Sequence, residues 1–268
     1  MTLAVVAIIS LAIVIAGFAL RALTRGGAAA AFFVGVACLG YGGYAVAAPL
    51  VAFFVSGSAL SRLTARGAAK DAAGNDATRN GVQVLANGGA AAASAVVAGL
   101  VYSGAGPSAA RWFVAAVCAL ACAAADTWAT EVGALSTTPP RSIVTGKPVD
   151  IGASGGVTAL GTFASIAGAA FIGAVYAAFL PAHRFGAVIG VTVIGSIGAL
   201  LDSMLGALLQ GMWRCDECAT DRETRVHGCR ARARLIHGVA WLDNDGVNAI
   251  STIAGAVLGY LAFPLFAR

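Results

Sequence analysis

The stretch that decides the fold is AAAAFFVGVACLGYGGYAVAAPLVAFFVSGSAL, running from Ala28 to Leu60 without a charged residue. A transmembrane helix needs about 20 apolar residues to cross a ~30 Å hydrocarbon core. This run is too long for one crossing and long enough for two short ones. Gly40, Gly42 and Gly43 lie near its middle, so a tight turn between two helices is expected there.

Further apolar runs lie on both sides, at Leu3–Leu20, Val82–Val101, Trp112–Ala125, Val157–Leu180, Phe185–Leu209 and Val247–Phe266. Leu3–Leu20 has the length of a signal peptide, but no basic residue precedes it, and it is read as a mature helix. Of the 268 residues, 59% are hydrophobic and 11% charged, and the mean hydropathy is +0.85. Soluble domains carry about 25% charge, so this chain requires lipid as its solvent. No period-2 alternation is present, which excludes a β-barrel. The expected fold is all-α, a polytopic transmembrane helical bundle of about seven or eight segments in one integral membrane domain, residues 1–268.

The basic residues check the turn. With the N-terminus outside and the long run split, Arg21, Arg25, Arg62, Arg66, Lys70, Arg79, Arg141, Lys147, Arg214, Arg222, Arg225, Arg230, Arg232 and Arg234 fall on one side. Only Arg111, Arg184 and Arg268 fall on the other. Fourteen of the 17 positive residues are then cytoplasmic, as the positive-inside rule requires. Without the split the bias collapses. Both termini are therefore expected outside, and the polar loops 61–81, 136–156 and 211–246 at the cytoplasmic face. The modest charge of +5 follows topology and gives no sign of nucleic-acid binding.

Carboxylates in or beside apolar spans are costly and usually functional. Asp126 and Glu131 stand in Asp126-Thr-Trp-Ala-Thr-Glu131 at the end of one run; five residues apart, they share no helical face unless the helix breaks. The bland alternative is a solvated helix end. Asp202 lies on a stripe with Gly195, Gly198 and Gly206, which suits either a close helix contact or a ligand-lined cavity. In Trp241-Leu-Asp243-Asn-Asp245-Gly-Val-Asn248, alternating oxygen ligands suit a hard cation such as Mg²⁺, and Asn244 and Asn248 could face one site. The same residues also suit a helix N-cap.

Cationic and amide groups supply the complement. Arg141 and Lys147 flank hydroxyls, and Ser154, Gly155 and Gly156 open the next helix, where backbone N–H groups can bind phosphate. Gly146-Lys147 is followed by Pro148, so this is not a Walker A loop. Arg79 precedes a polar stripe of Asn80, Gln83 and Asn87, which must be satisfied by protein groups or a ligand. Cys38, Cys118 and Cys122 fall inside apolar runs and read as packing residues. Cys215-x2-Cys218 with His227 and Cys229 has the spacing for zinc in its first half but not in its second; free thiols in a reducing compartment are the alternative. With only three histidines, a Ser-His-Asp or Cys-His hydrolase is poorly supported.

The blocks Asp126-to-Glu131, Pro139-Pro-Arg141 to Lys147-Pro, Gly155-Gly-Val-Thr158, Gly198…Asp202-Ser-Met-Leu-Gly206…Gln210 and Trp241-to-Asn248 occur in this order. Together with Arg79-to-Gly88 they resemble the phytyl-phosphate kinase family, which includes transmembrane protein 19. The resemblance runs from about Ser58 to the last helix. It implies an enzyme that phosphorylates a phytyl or other prenyl monophosphate with CTP as donor. On that reading Asp126, Glu131, Asp202, Asp243 and Asp245 hold Mg²⁺ against the nucleotide. Arg79, Arg141 and Lys147 neutralise phosphoryl oxygens, and Asn80, Gln83, Asn87 and Asn248 orient substrate. The prenyl tail lies between glycine-lined helices. The competing reading is a transporter of a small anionic or lipid substrate.

Overall fold

A computed structural model gives the architecture. It describes residues 1–67, 78–101, 107–218, 220–223, 229 and 233–266. Seven helices make up the body: α1 (Leu3–Ala19), α2 (Arg25–Gly67), α3 (Gly81–Leu100), α4 (Pro107–Gly133), α5 (Ala159–Ala177), α6 (Arg184–Leu209) and α7 (Asn244–Phe266). Six of them are long and apolar enough to cross a membrane, and α1 is a shorter apolar helix.

The helix α2 is not one rod. At Gly43 the backbone takes φ 60° and ψ −162°, a region that only glycine occupies at low cost. Arms 25–42 and 44–67 then run back along one another. Gly27 packs on the Arg79 backbone, while Gly57 from the other arm packs on the Arg79 side chain. Val34 and Leu50, one from each arm, both lie against Gly88 of α3. The break falls within the cluster of glycines where the sequence places the turn.

The buried faces of these helices are made of small residues and the outer faces of large ones. On α6, Ala187, Gly190, Gly195, Gly198, Ala199 and Gly206 are buried, whereas Phe185, Ile189, Val193, Ile197 and Leu200 are exposed. This inside-out pattern suits lipid, where close backbone packing drives helix association. At the centre stands α4, packed against α2, α3, α5, α6 and α7. From Ala115 to Ala125 no residue of α4 is more than 2% exposed. A Cβ on Gly198 of α6 or on Gly255 of α7 would collide with Cys122, and Gly259 lies against Cys118. Both cysteines are packing residues, as expected.

The two ends of the bundle differ. At one end Met1 meets Tyr44 beside the α2 break, Tyr41 packs on Gly99 and Trp112 packs on Tyr260 with the rings tilted by 49° and their centroids 4.7 Å apart. The other end collects the polar loops. There Arg79 bridges to the 22–24 connection (Arg79 N to Ala22 O and Thr24 N to Arg79 O, both 3.0 Å), and Gly155 rests on Ser203 and Ala207 of α6.

Those loops carry more regular structure than an all-α reading anticipates. Strands β1 (Arg141–Ser142) and β2 (Gly156–Val157) pair antiparallel. Strands β3 (Met212–Cys215), β4 (Thr220–Arg222) and β5 (Ala233–His237) form a sheet in the order β4-β3-β5. The all-α bundle therefore carries two small sheets in its polar loops 136–156 and 211–246. Strands of two to five residues are too short to show a period of two.

Candidate functional site: an acidic pair where three helices meet

Helix α4 continues unbroken to Gly133, so Asp126 and Glu131 leave it on different faces, as their spacing requires. Asp126 stands one residue beyond the fully buried alanine stretch; it follows Cys122 of α4 by four residues, as Asp202 follows Gly198 of α6, and Cys122 and Gly198 are in contact. Asp202 is 7% exposed. One of its oxygens accepts a hydrogen bond from Ser251 Oγ of α7 at 2.9 Å. Asn248, also buried, lies one turn before Ser251, whose hydroxyl is 3.1 Å from the Asn248 carbonyl oxygen. Helix α6 thus brings Asp202 against Ser251 of α7, with the buried Asn248 one turn before that serine.

The glycine stripe of α6 makes this possible. Gly195 and Gly198 let α6 approach α4 until a Cβ would strike Ala121, Ala169 or Cys122. Asp202 is carried in on the same face. At Gly195 and Gly198 the stripe is thus a helix contact, filled by Ala121 and Cys122 of α4 and Ala169 of α5.

Glu131 faces the other way. Both Ser61 and Thr64 of α2 donate hydrogen bonds to its carboxylate. Arg79 supplies opposite charge, with its guanidinium lying 4.8 Å from the Phe53 ring centroid and 5.9 Å from that of Phe54. Beside this group Trp128 donates to Ser56 Oγ at 3.2 Å and stacks on Phe171.

The remaining candidates are placed as follows. Asp243 Oδ1 accepts from Gly246 N at 2.9 Å, which makes Asp243 the N-cap of α7, the second of its two readings. Asp245 sits near Asp243 but six residues before Ser251, about 9 Å along the helix axis at 1.5 Å per residue. Asn244 is exposed whereas Asn248 is buried, so the two do not face one site.

Asn80 and Gln83 form a capping box: Asn80 Oδ1 accepts from the N–H groups of Val82 (2.8 Å) and Gln83 (3.0 Å), and Gln83 Oε1 accepts from Asn80 N (2.9 Å). Asn87 donates to the Gln83 carbonyl at 2.9 Å. Protein groups therefore take up the Asn80 and Gln83 side-chain oxygens and one Asn87 N–H. Arg141 donates to Gly146 O at 2.9 Å, and both Arg141 and Lys147 are exposed and free of ion pairs among the described residues. Gly155, at φ 73° and with Ser203 O where a Cβ would be 2.7 Å away, ties the Arg141–Lys147 loop to α6 through Ile143 N to Gly155 O at 2.9 Å. Ser154 donates to Glu223 at 2.7 Å. Gly156 is in β2.

Cys215, Cys218 and Cys229 bring their sulfurs within 4.8 Å of one another; His227 lies outside the described residues. Hydrogen bonds, chiefly from the Cys218 backbone, draw the Cys215 thiol below its ordinary range.

Several residues of the site escape sequence reading. Ser251 could have been found, since it lies on the helical face of Asn248. Ser61, Thr64 and Glu223 give no local signal. Gln210 is 1% exposed, and its Nε2 has no hydrogen-bond partner among the described residues.

The fold and site together define a polytopic helical membrane protein with a paired-carboxylate centre among its small-residue helices. The chain belongs to the DUF92 family of integral membrane proteins, whose model matches residues 8–256. It is 33% identical to Protein PGR of Arabidopsis thaliana over 152 residues, 53% of this chain and 51% of that protein. The match thus spans about half the length of Protein PGR, and it bears out the family resemblance drawn from the motifs. An uncharacterized membrane protein of Methanocaldococcus jannaschii is 29% identical over 244 residues, covering 91% of this chain and 87% of the relative. Another, from Synechocystis, is 30% identical over 243 residues, covering 89% and 81%. No solved structure matches the chain significantly.

Proposed function

We propose that this protein is a membrane phosphotransferase that moves the terminal phosphoryl group of a nucleoside triphosphate, CTP in the first instance, onto a phytyl or other prenyl monophosphate. The P–O bond to the acceptor phosphate forms as the bond to the nucleoside diphosphate breaks. The observation that carries the reading is the Asp126–Asp202 pair, two carboxylates held together at the edge of an alanine-packed core. Like charges so placed repel, and removing them from water costs several kcal/mol per ion. A hard divalent cation offsets both costs, and the oxygen-rich set of Asp126, Asp202 and the Asn248 amide fits Mg²⁺. When bound, Mg²⁺ would neutralise charge on the transferring phosphates.

The chain's own residues do the rest. Ser251 fixes the Asp202 carboxylate, and the closed α4–α6–α7 contact keeps bulk water from its inner side. Arg141 and Lys147 offer positive charge that no ion pair among the described residues takes up, on a loop tethered to α6 by Gly155 and suited to phosphates arriving from the aqueous face. No general base is required, because a phosphate monoester has its second pKa near ~6 and is already ionised at neutral pH. The prenyl tail needs no pocket, since the bilayer is its solvent. Glu131 serves to hold Arg79 and the 20–24 and 78–80 connections. Eight membrane segments, counting the two arms of α2, with the polar end cytoplasmic and both termini outside, complete the proposal; the positive-inside distribution supports it.

The test is an assay of protein purified in detergent with Mg²⁺, labelled CTP and phytyl or geranylgeranyl monophosphate. Labelled diphosphate lipid, absent with Asp202→Asn, is expected. No product across a panel of nucleotides and prenyl phosphates, from protein shown to be folded, would overturn the assignment.

A further inference from the structure

The strands β3, β4 and β5 have little apolar core of their own: Leu235 and Ile236 of β5 are exposed. Beyond their backbone ladders, the described strands carry the β3–β4 ion pair of Arg214 with Asp221 (2.6 Å) and the contact of Arg234 with Asp216 (3.6 Å), all exposed side chains. Exposed pairs contribute little. At one end of the sheet, however, three thiols converge. Cys215 ends β3 and is buried; Cys218 is in the following turn; Cys229 comes from beyond β4. Their sulfurs lie within 4.8 Å of one another, and those of Cys215 and Cys229 are 3.6 Å apart. Four thiolate or imidazole ligands around zinc, with Zn–S near ~2.3 Å, place sulfurs about 3.8 Å apart at the edges of a tetrahedron. The observed spacing matches that edge. The backbone N–H groups of Glu217 and Cys218 also hydrogen-bond to the Cys215 sulfur, an arrangement that stabilises and orients a metal-bound thiolate.

We propose that Cys215, Cys218 and Cys229 supply three of the four ligands of one structural Zn²⁺ ion. The ion closes the segment between β3 and β5. That segment carries Glu223, whose carboxylate accepts from Ser154, so the metal fixes the β3–β5 sheet against the loop that presents Arg141 and Lys147. The site is separate from the acidic pair and does not depend on the proposed activity. Thiolate ligands select zinc over magnesium, so the two metals do not compete for one place.

The experiment measures zinc per chain by elemental mass spectrometry on detergent-purified full-length protein, after gel filtration to strip loosely held metal. Wild type and Cys38→Ser, which alters a buried cysteine of α2, should each hold about one zinc. Cys218→Ser and Cys229→Ser, both at exposed positions, should lose at least about tenfold in zinc content. Should either variant fail to fold, cobalt reconstitution of wild type supplies the readout: thiolate-to-cobalt charge-transfer absorption is expected. Zinc retained at wild-type level in both variants would overturn the proposal. So would zinc-free wild type whose Cys215 and Cys229 are recovered as a disulfide, or cobalt-treated wild type without thiolate absorption.

Discussion

Two carboxylates on one helix, five residues apart, meet opposite fates. Glu131 turns toward α2, where two hydroxyls and the Arg79 guanidinium await it. Asp126 turns toward α6, whose Asp202 likewise lies four residues beyond the Cys122–Gly198 contact, with a serine hydroxyl and an amide nearby. The first side of α4 is electrostatically complete, and what it does is hold elements together. Among the described residues no ion pair is made on the second side, and the proposed Mg²⁺ ion would supply the positive charge there. The difference teaches that an acidic residue in a span is a functional candidate only after its partners are counted.

The largest expected effect breaks the incomplete side. Asp202→Asn and Asp126→Asn keep the shape and remove one charge each; diphosphate-lipid formation should fall at least about 100-fold, near ~2.7 kcal/mol of barrier, while helical content by circular dichroism stays unchanged. Turnover within a few-fold of wild type in either variant would break the comparison.

Next comes the packing that brings the pair together. Gly198→Ala places a methyl against Cys122 and should cost about 1–3 kcal/mol by overpacking, seen as a lower Tm in detergent. Adding Cys122→Ala should recover part of that loss, because the sulfur is the obstacle.

Smaller effects belong to the complete side. Glu131→Gln should lower stability by about 1–2 kcal/mol through weakened charged hydrogen bonds and leave turnover within about tenfold, since positioning rather than cation binding is lost. A turnover loss equal to that of Asp202→Asn would erase the distinction. The smallest change is Asp243→Ala, which removes the α7 N-cap and should cost about 1 kcal/mol in thermal unfolding.

Much of the fold was legible because lipid imposes it. Long apolar runs without charge announce helices, and the glycines near Gly43 together with the placement of basic residues announce a reversal in α2. Less of the site could be read. Asp126, Asp202 and Asn248 were visible as polar groups where none should be, yet only packing reveals that the first two face one another. The Asn80–Gln83 stripe carried a helix-capping pattern, with Gln at the third position after Asn, that resembles a ligand site until the hydrogen bonds are traced. Glu131 could not be separated from Asp126, because its partners Ser61 and Thr64 are about 70 residues away in sequence. Ser154 and Glu223 are likewise distant, and the β3–β5 sheet is too short to show a period.

The measurement that tests the account most directly is a Mg²⁺ titration of the thermal unfolding of wild type, Asp202→Asn and Glu131→Gln in detergent. A cation that binds only the folded state stabilises it by RT ln(1 + [L]/Kd), so Tm rises with its concentration. The account predicts a Mg²⁺-dependent rise in wild type and in Glu131→Gln, and none in Asp202→Asn. A rise that survives in Asp202→Asn, or that disappears in a folded Glu131→Gln, would place the cation on the other side of α4 and contradict the central claim.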